Sequence, residues 1–465
     1  MKSKAKAKAK AKLIIFIALG ILFVLLPIIS INYSFITGSS NKSSDYRDYF
    51  NLDNENPKIS EISGPIHIDN NWSVAKDAGI CTGDGTYSDP YIIKNLVIDA
   101  NYLDNCIKIE NTDSYFIIEN CNLNNSKAEF QYNIGYASIY LVNCENGNLI
   151  NNICGNSYFG IYLSHSCSNI SISNNDCSYS EDAGINLNGC SNHSLIGNIC
   201  SNSEYGIWIS GGNNTIINNI CFENNGGIEC SGSNNRIISN ICSLNRNYGI
   251  GIPNLNYNDN NTISQNECSY GRRGIIISGR FGSSCNNNIT HNICILNEIG
   301  IEFDYCNNSR ILNNNVEDSV YNGIILNNSN NNTISENIVN VYGQYGIGLN
   351  GYSNGNNIYL NCFNNPFNAY DHGSHNQWDN GIKGNFWSDY TGLDEDGDGI
   401  GDIPYNITGS AGSQDNFPLM KCPFTLKETT GVPIELIILI SSISGGVVIG
   451  IAILLLNRRK RRRKD

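Results

Sequence analysis

The chain has 465 residues, 18 cysteines, two methionines and a formal net charge of −13. Six of its 29 basic residues lie in 1–12 and seven in 458–464, which leaves 16 against 41 acidic residues between them, a net of about −25. Such a body repels nucleic acid and other polyanions and attracts cations, so no nucleic-acid partner is expected.

Residues 1–12 form a Lys-rich flank, and Leu13 to Ile31 is apolar and uncharged. The run is longer than a usual signal-peptide core of roughly 7–15 residues, which favours an uncleaved signal anchor; small residues at Gly38-Ser39-Ser40 leave cleavage open. Residues 1–38 are thus read as a targeting segment, and the polar, aperiodic stretch 39–59 as a linker. Structure is expected from about residue 60, with 60–95 capping the N-terminal end of the folded body.

From Gly160 onward the chain repeats itself. A Gly-Ile-x-apolar tetrapeptide opens at Gly160, Gly184, Gly206, Gly227, Gly249, Gly274, Gly300, Gly323 and Gly346. A second marker keeps step: Cys154, Cys177, Cys200, Cys221, Cys242, Cys268, Cys294, Val316, Val339 and Cys362. Inside each unit apolar residues alternate with polar ones, as in Ile161/Leu163 and Ile170/Ile172, and Asn, Ser, Gly and Asp fill the turns. Three short strands in about 22 residues describe one coil of a parallel β-helix, an all-β solenoid. Cys106-Ile107-Lys108-Ile109 and Ser138-Ile139-Tyr140-Leu141 fit the same frame, giving about twelve coils over 60–365 and a loop near 126–136. Pairs such as Asn174-Asn175, Asn218-Asn219 and Asn313-Asn314 are placed to ladder their amides at a corner. The cysteines are expected inside, as small hydrophobes; stacked cysteines in flat parallel strands are poorly oriented for bridging, and Cys81 and Cys422 have no obvious partner.

Residues 366–424 are expected to cap the C-terminal end. Beyond them, 432–456 contains an uncharged run from Leu436 to Leu456, and 457–465 is a basic tail. This reads as a transmembrane helix with a cytoplasmic tail, which places about 40–431 outside a cell membrane.

The cap contains Gly384-Asn385-Phe386-Trp387-Ser388-Asp389-Tyr390, then Asp394 to Tyr405, then Asp415-Asn416-Phe417-Pro418-Leu419-Met420. With the Asn-rich coils, these stretches resemble the NosD-type right-handed parallel β-helix family, and the resemblance covers about 60–424. It implies a right-handed solenoid. The family's namesakes are periplasmic accessory proteins linked to copper delivery, and the wider superfamily includes carbohydrate-binding proteins and sugar hydrolases. Copper is poorly supported by the residues present, because Cu(I) favours exposed Met and Cys. His372 and His375, with Asp371 and Asp379 beside them, are a weak alternative metal set.

Calcium is the better metal candidate. Asp394, Asp396, Asp398, the Ile400 carbonyl and Asp402 match a calcium loop at positions 1, 3, 5, 7 and 9. Tyr405 stands where the closing Glu is usual, and Asp389 or Asp415 is the candidate replacement. The x residues of the tetrads are expected to point outward, so Tyr140, Tyr162 and Trp208 form a candidate platform for a glycan or a protein partner. The outward carboxylates Glu229 and Glu302 are three coils apart, about 14 Å, whereas glycosidase pairs need roughly 5–9.5 Å. The reading is therefore a non-catalytic surface scaffold, adhesion or carbohydrate-binding protein, with a polysaccharide lyase or hydrolase as the first alternative and a metal-accessory protein like the family's namesakes as the second. Sequons Asn-x-Ser/Thr occur at Asn71, Asn124, Asn169, Asn192, Asn213, Asn260, Asn288, Asn307, Asn327, Asn331 and Asn406.

Overall fold

A computed structural model describes residues 62–126, 136–253, 259–279 and 285–424. Within these residues the chain winds into a solenoid of three parallel sheets. The first sheet has 13 strands, from Ile66–Asp69 to Ala369–Asp371, and the second has 12, from Tyr91–Lys94 to Asn357–Tyr359. The third falls into a four-stranded piece ending at Ile153–Gly155 and a nine-stranded piece from Ile199–Ser201 to Phe386–Trp387. Single-residue bridges through Asp176 link the two pieces. The apolar runs 13–31 and 436–456 and the loop segment 127–135 lie outside the described residues. No helix among the described residues is long and apolar enough to cross a membrane.

The tetrad frame is set by close approach. A Cβ on Gly160 would sit 2.5 Å from the Gly184 carbonyl oxygen and 2.9 Å from Cys177 Cβ, so no side chain fits where the strand passes the Cys column. That column runs in register through Cys200, Cys221, Cys242, Cys268, Cys294, Val316 and Val339. All sixteen free cysteines of the described residues are buried.

The column does not continue through Cys362. Val339 pairs with Phe363, and Cys362 pairs with the outward Ile338. A one-residue offset turns the side chain to the other face, and there Cys362 forms a disulfide with Cys422, Cα to Cα 5.5 Å. The expectation that Cys362 lies in the ladder and Cys422 lacks a partner is corrected: the bridge ties the chain that leaves the cap back onto the last coils.

The corners are held by side-chain amides. One ladder runs through Asn152, Asn175, Asn198, Asn219, Asn240, Asn266, Asn292, Asn314, Asn337, Asn361 and Asn385. Each Nδ2 donates to the next Oδ1 at 2.9–3.0 Å. The same Oδ1 also accepts a backbone N–H, as from Asn240 to Asn266 at 2.9 Å. The second Nδ2 hydrogen goes back to an earlier coil's carbonyl, as from Asn266 to Ile237 at 2.8 Å. The residue before each ladder Asn except the last, Asn385, takes the left-handed backbone, φ 54° at Asn174 and 56° at Asn218 and Asn313. Asn tolerates that region better than most side chains, which explains the Asn-Asn pairs.

A second ladder sits at the corner between the first and second sheets, through Asn214, Asn235, Asn261, Asn287, Ser309, Asn332, Asn356 and Asn376. Here His193 takes an Asn place. Its Nδ1 accepts from the Ile170 N–H at 3.2 Å, and its Nε2 reaches the Cys167 carbonyl at 3.0 Å. Burial lowers its pKa and keeps the ring neutral, as this role requires.

The first coil is closed by a short helix, Trp72–Asp77, with Trp72 and Ala75 buried. Six residues are too few to leave a helical stripe in the sequence. Trp72 stacks on Tyr91, centroids 4.6 Å apart. At the other end the solenoid runs past residue 365, because Ala369–Asp371 and Phe386–Trp387 still pair with the first and third sheets.

Asn266→Leu should cost about 3 kcal/mol in a denaturant melt, since it strands the Asn240 donors in the core, each worth about 1–3 kcal/mol. Asn218→Ala, at an exposed corner, should cost about 1 kcal/mol. A reductant should lower the melting temperature of the wild type and leave a Cys362→Ser/Cys422→Ser double variant unchanged. The bridge closes a 60-residue separation, worth about 4 kcal/mol on a chain-entropy estimate.

Candidate functional site

The outward row of the first sheet is Tyr140, Tyr162, Asn186, Trp208, Glu229, Gly251, Ile276, Glu302, Ile325, Gly348 and Tyr370, neighbour on neighbour. Tyr140 and Tyr162 stack on each other with centroids 4.9 Å apart, and Phe159 lies against Tyr162 at 4.6 Å. Tyr162 is only 5% exposed. Trp208 is half-buried beside Tyr205, and its Nε1 has no hydrogen-bond partner among the described residues.

Beyond Trp208 the row becomes ionisable. Glu229 is flanked by Trp208 and by Gly251, whose missing side chain leaves room for the Tyr248 ring. Tyr248 Oη donates to Glu229 Oε2. Burial raises the pKa of Glu229; burial, then the Glu229 charge, raises that of Tyr248. Three coils on, Arg273 Nε donates to Glu302 Oε2 and Asn327 Nδ2 to Oε1 at 3.1 Å. Asp304 lies two residues along the same strand, its pKa raised by burial and then by Glu302. Two residues of a strand span about 7 Å, so Glu302 and Asp304 are a closer carboxylate pair than Glu229 and Glu302. The x position of each tetrad, taken alone, misses this pair. Strand alternation is the signal that could have found Asp304, two residues beyond x; Tyr248 and Arg273, three residues before the x of their tetrads, reach the same face against strict alternation, as their bonds to Glu229 and Glu302 show.

A polar groove of about 840 Å³ lies at the turn from the third sheet into the first. Tyr179, Glu181, Glu204, Glu223, Asn225 and Arg246 line it. Asn225 Nδ2 holds Glu204 at 2.7 Å. Glu204 directly precedes Tyr205, so the groove adjoins the Trp208–Glu229–Tyr248 patch. Burial and the Glu204 charge raise the pKa of Asp182 at the same turn. These carboxylates come from turn positions and carry no motif.

In the cap, carboxylate oxygens of Asp394, Asp396 and Asp398 lie within 4.8 Å of one another, the only such acidic, Cys or His group of three among the described residues. Asp394 accepts from the N–H groups of Gly397, Asp398 and Gly399 at 2.8–3.1 Å. Asp402 is held apart by the Glu395 N–H at 2.7 Å. Ile400 lies in a bridge to Leu419.

Asp389 and Asp415 do other work. Both amide ladders end on a carboxylate, and so does a shorter run at the corner between the third and first sheets, where Val341 N–H donates to Asn365 at 2.8 Å and Asn365 N–H to Asn368 at 3.1 Å. Asn385 donates its backbone N–H to Asp415 at 2.7 Å, whereas Asn376 and Asn368 donate through Nδ2, to Asp371 at 2.9 Å and to Asp389 at 2.6 Å. Each carboxylate takes an aromatic donor as well: Trp387 on Asp415 at 2.9 Å, Trp378 on Asp371 at 3.1 Å, Tyr405 on Asp389 at 3.2 Å. Burial pushes Asp415 up to about 6. The idea that Asp389 or Asp415 completes a calcium shell is corrected, and so is the His372/His375 set, since Asp371 is buried in the ladder end and His372 is bound to Ser410.

The family model described as periplasmic copper-binding protein (NosD) matches residues 82–249, 197–280 and 240–392, so 82 to 392 is covered. Among solved structures, the A-module of the mannuronan C-5 epimerase AlgE6 of Azotobacter vinelandii is 12% identical, with a TM-score of 0.46 over 62% of this chain and 86% of that one. The periplasmic alginate epimerase AlgG is 14% identical, with a TM-score of 0.35 over 67% and 83%. The Dettilon tailspike protein is 14% identical, with a TM-score of 0.33 over 63% and 59%. No curated protein matches the sequence. With most of its coils and the start of its cap matched by one family model, the chain belongs to the NosD family of right-handed parallel β-helix repeat proteins.

Proposed function

We propose that this protein is a membrane-anchored, exported β-helix that binds a glycan in the groove at the turn into the first sheet. The groove itself carries the reading. It combines about 840 Å³ of open volume with tyrosine, three glutamates and an arginine, and a half-buried tryptophan stands on the adjoining face. Sugar hydroxyls suit carboxylate and guanidinium partners, and a sugar ring suits an indole face. The targeting run 13–31 and the apolar run 436–456 with its basic tail support anchoring in a cell membrane with the body outside.

A hydrolytic or lyase activity is the second reading, favoured by one observation: Glu302 and Asp304 share one outward strand face with Arg273. Reducing ends or unsaturated products released from a polysaccharide panel, and lost in Asp304→Asn, would establish it. The copper of the family description is not extended to this chain. Its free cysteines are buried, His193 is built into a ladder, and the residues present do not fit a soft-metal site.

Calcium at Asp394, Asp396 and Asp398 belongs to the same proposal, as a structural ion. Three carboxylates this close repel one another, and a hard divalent cation relieves that. The Ile400 carbonyl and Asp402 complete the loop pattern, and Asp402 also accepts from the Glu395 N–H at 2.7 Å.

Trp208→Ala should weaken binding of an oligosaccharide hit from a glycan array about tenfold, measured by calorimetry on the detergent-solubilised chain, while Tyr162→Ala, which removes a buried ring, should act on stability instead. Equal affinity in Trp208→Ala and wild type would sink the groove reading. Chelation should lower the melting temperature of the wild type by several degrees and leave Asp396→Ala unmoved; a wild type indifferent to chelator would remove calcium from the account.

A further inference from the structure

Eleven Asn-x-Ser/Thr sequons fall in the described residues, and the fold sorts them into two classes. Asn169, Asn192, Asn213, Asn260 and Asn331 occupy one column at the corner between the first and second sheets, all exposed and all with left-handed backbone, φ 54–65°. Among the described residues none of these five side-chain amides has a hydrogen-bond partner. The hydroxyl two residues on is in register from coil to coil, with Ser171 beside Ser194, Ser194 beside Thr215, and Thr262 and Thr333 further along the same row.

Of the other six amides, five are hydrogen-bonded and one, that of Asn288, is partly buried without a partner at its oxygen among the described residues. Asn124 donates to Asn122, Asn327 donates to Glu302 at 3.1 Å, and Asn307 accepts from Asn330 at 2.7 Å. Asn288 buries its Oδ1. Asn71 and Asn406, although exposed, accept from Asp69 at 2.9 Å and Gln414 at 2.7 Å.

The solenoid explains the first two residues of these triplets but not the third. A left-handed Asn followed by a ladder Asn recurs at the next corner as well, at Asn174-Asn175, Asn218-Asn219 and Asn313-Asn314. There the third residues are Asp176, Ile220 and Asn315. The position after the other members of that ladder holds Ile153, Ile199, Ile241, Glu267, Ile293, Ile338, Cys362 and Phe386, with no hydroxyl in the set. Even in the sequon row the third position accepts Arg236 and Arg310. One corner therefore carries the acceptor chemistry and its geometric twin does not.

We infer that this column is a row of N-glycosylation sites, an inference that rests on the exported-body reading above. In the transfer, Asn Nδ2 bonds to the anomeric carbon of a lipid-diphosphate-linked oligosaccharide, the lipid diphosphate leaves with the bonding electrons, and the amide gives up one proton. Only a sequon whose Nδ2 points into solvent keeps its sugar in a folded coil. Asn260 and Asn331 have no occupied neighbour one coil away. Asn169, Asn192 and Asn213 stand on consecutive coils about 4.8 Å apart and compete for space. The sugars line a different corner from the groove and leave it open.

The test is glycopeptide mass spectrometry on the full chain purified from its own membranes, beside labelling of intact cells with an impermeant amine reagent read at the exposed Lys94 and Lys383. Sugar on Asn260, on Asn331 and on at least one of the crowded three, with none on Asn124, Asn288, Asn307 or Asn327, is the expected result. Thr333→Ala should free Asn331 of sugar and Thr333→Ser should retain it, with the other sites unchanged. Labelled lysines with a bare column would overturn the inference while export stands, and sugar on those four hydrogen-bonded or buried sites would overturn it equally. Unlabelled lysines would bring down the export reading and this inference with it.

Discussion

The amide ladder has a direction, and the rest of the solenoid depends on it. In the ladder from Asn152 to Asn385 every rung before the last donates its backbone N–H and one Nδ2 hydrogen toward the next coil, and every rung after the first accepts on Oδ1 from the coil before. Within that ladder all these groups are satisfied, so a row of buried polar side chains can be stable instead of costly. At the last coil the donors have no next rung. A carboxylate is acceptor-only, and Asp415, Asp371 and Asp389 supply one to each corner. Trp387, Trp378 and Tyr405 then fill their remaining lone pairs with ring or hydroxyl donors. The Asn-Phe-Trp-Ser-Asp-Tyr and Asp-Asn-Phe-Pro stretches thus act as terminators of the ladders.

The same logic covers the apolar interior. The Cys column gives way to Val316, Val339, Phe363 and Trp387 toward the cap, and Tyr405 stacks on Trp387 with centroids 4.4 Å apart. Small side chains suit the repeating tight turn beside Gly160 and its counterparts; large ones close the open end, where no further coil covers the core. Cys362 is displaced by one residue from this column, and that displacement lets it reach Cys422 and fasten the outgoing chain.

Chemistry is left to positions the ladders do not need. The outward row of the first sheet and the turn into it carry Trp208, Glu229, Tyr248, Arg273, Glu302 and Asp304 without disturbing a single rung. Where aromatic residues are adjacent in that row, as at Tyr140 and Tyr162, they spend their faces on each other. The open ring, Trp208, is the one followed by a carboxylate.

The repeat was legible in the sequence because its causes are local. Gly at the close approach, Ile at alternate inward positions and Asn at left-handed corners recur at a fixed period, and that period alone gives the coil, its strands and about twelve turns. The Asp394–Asp398 cluster was legible too, since one short loop brings its oxygens together. What the sequence could not decide lies between segments far apart in the chain. Asp415 reads as a spare carboxylate until Asn385 lands on it, and Cys422 stays unpaired until a one-residue offset turns Cys362 outward. Glu181, Glu204, Glu223 and Arg246 are scattered turn residues until stacking sets them around one groove. The order within a coil is set by neighbours along the chain, whereas the contents of a groove are set by the register between coils, which only the folded stack fixes.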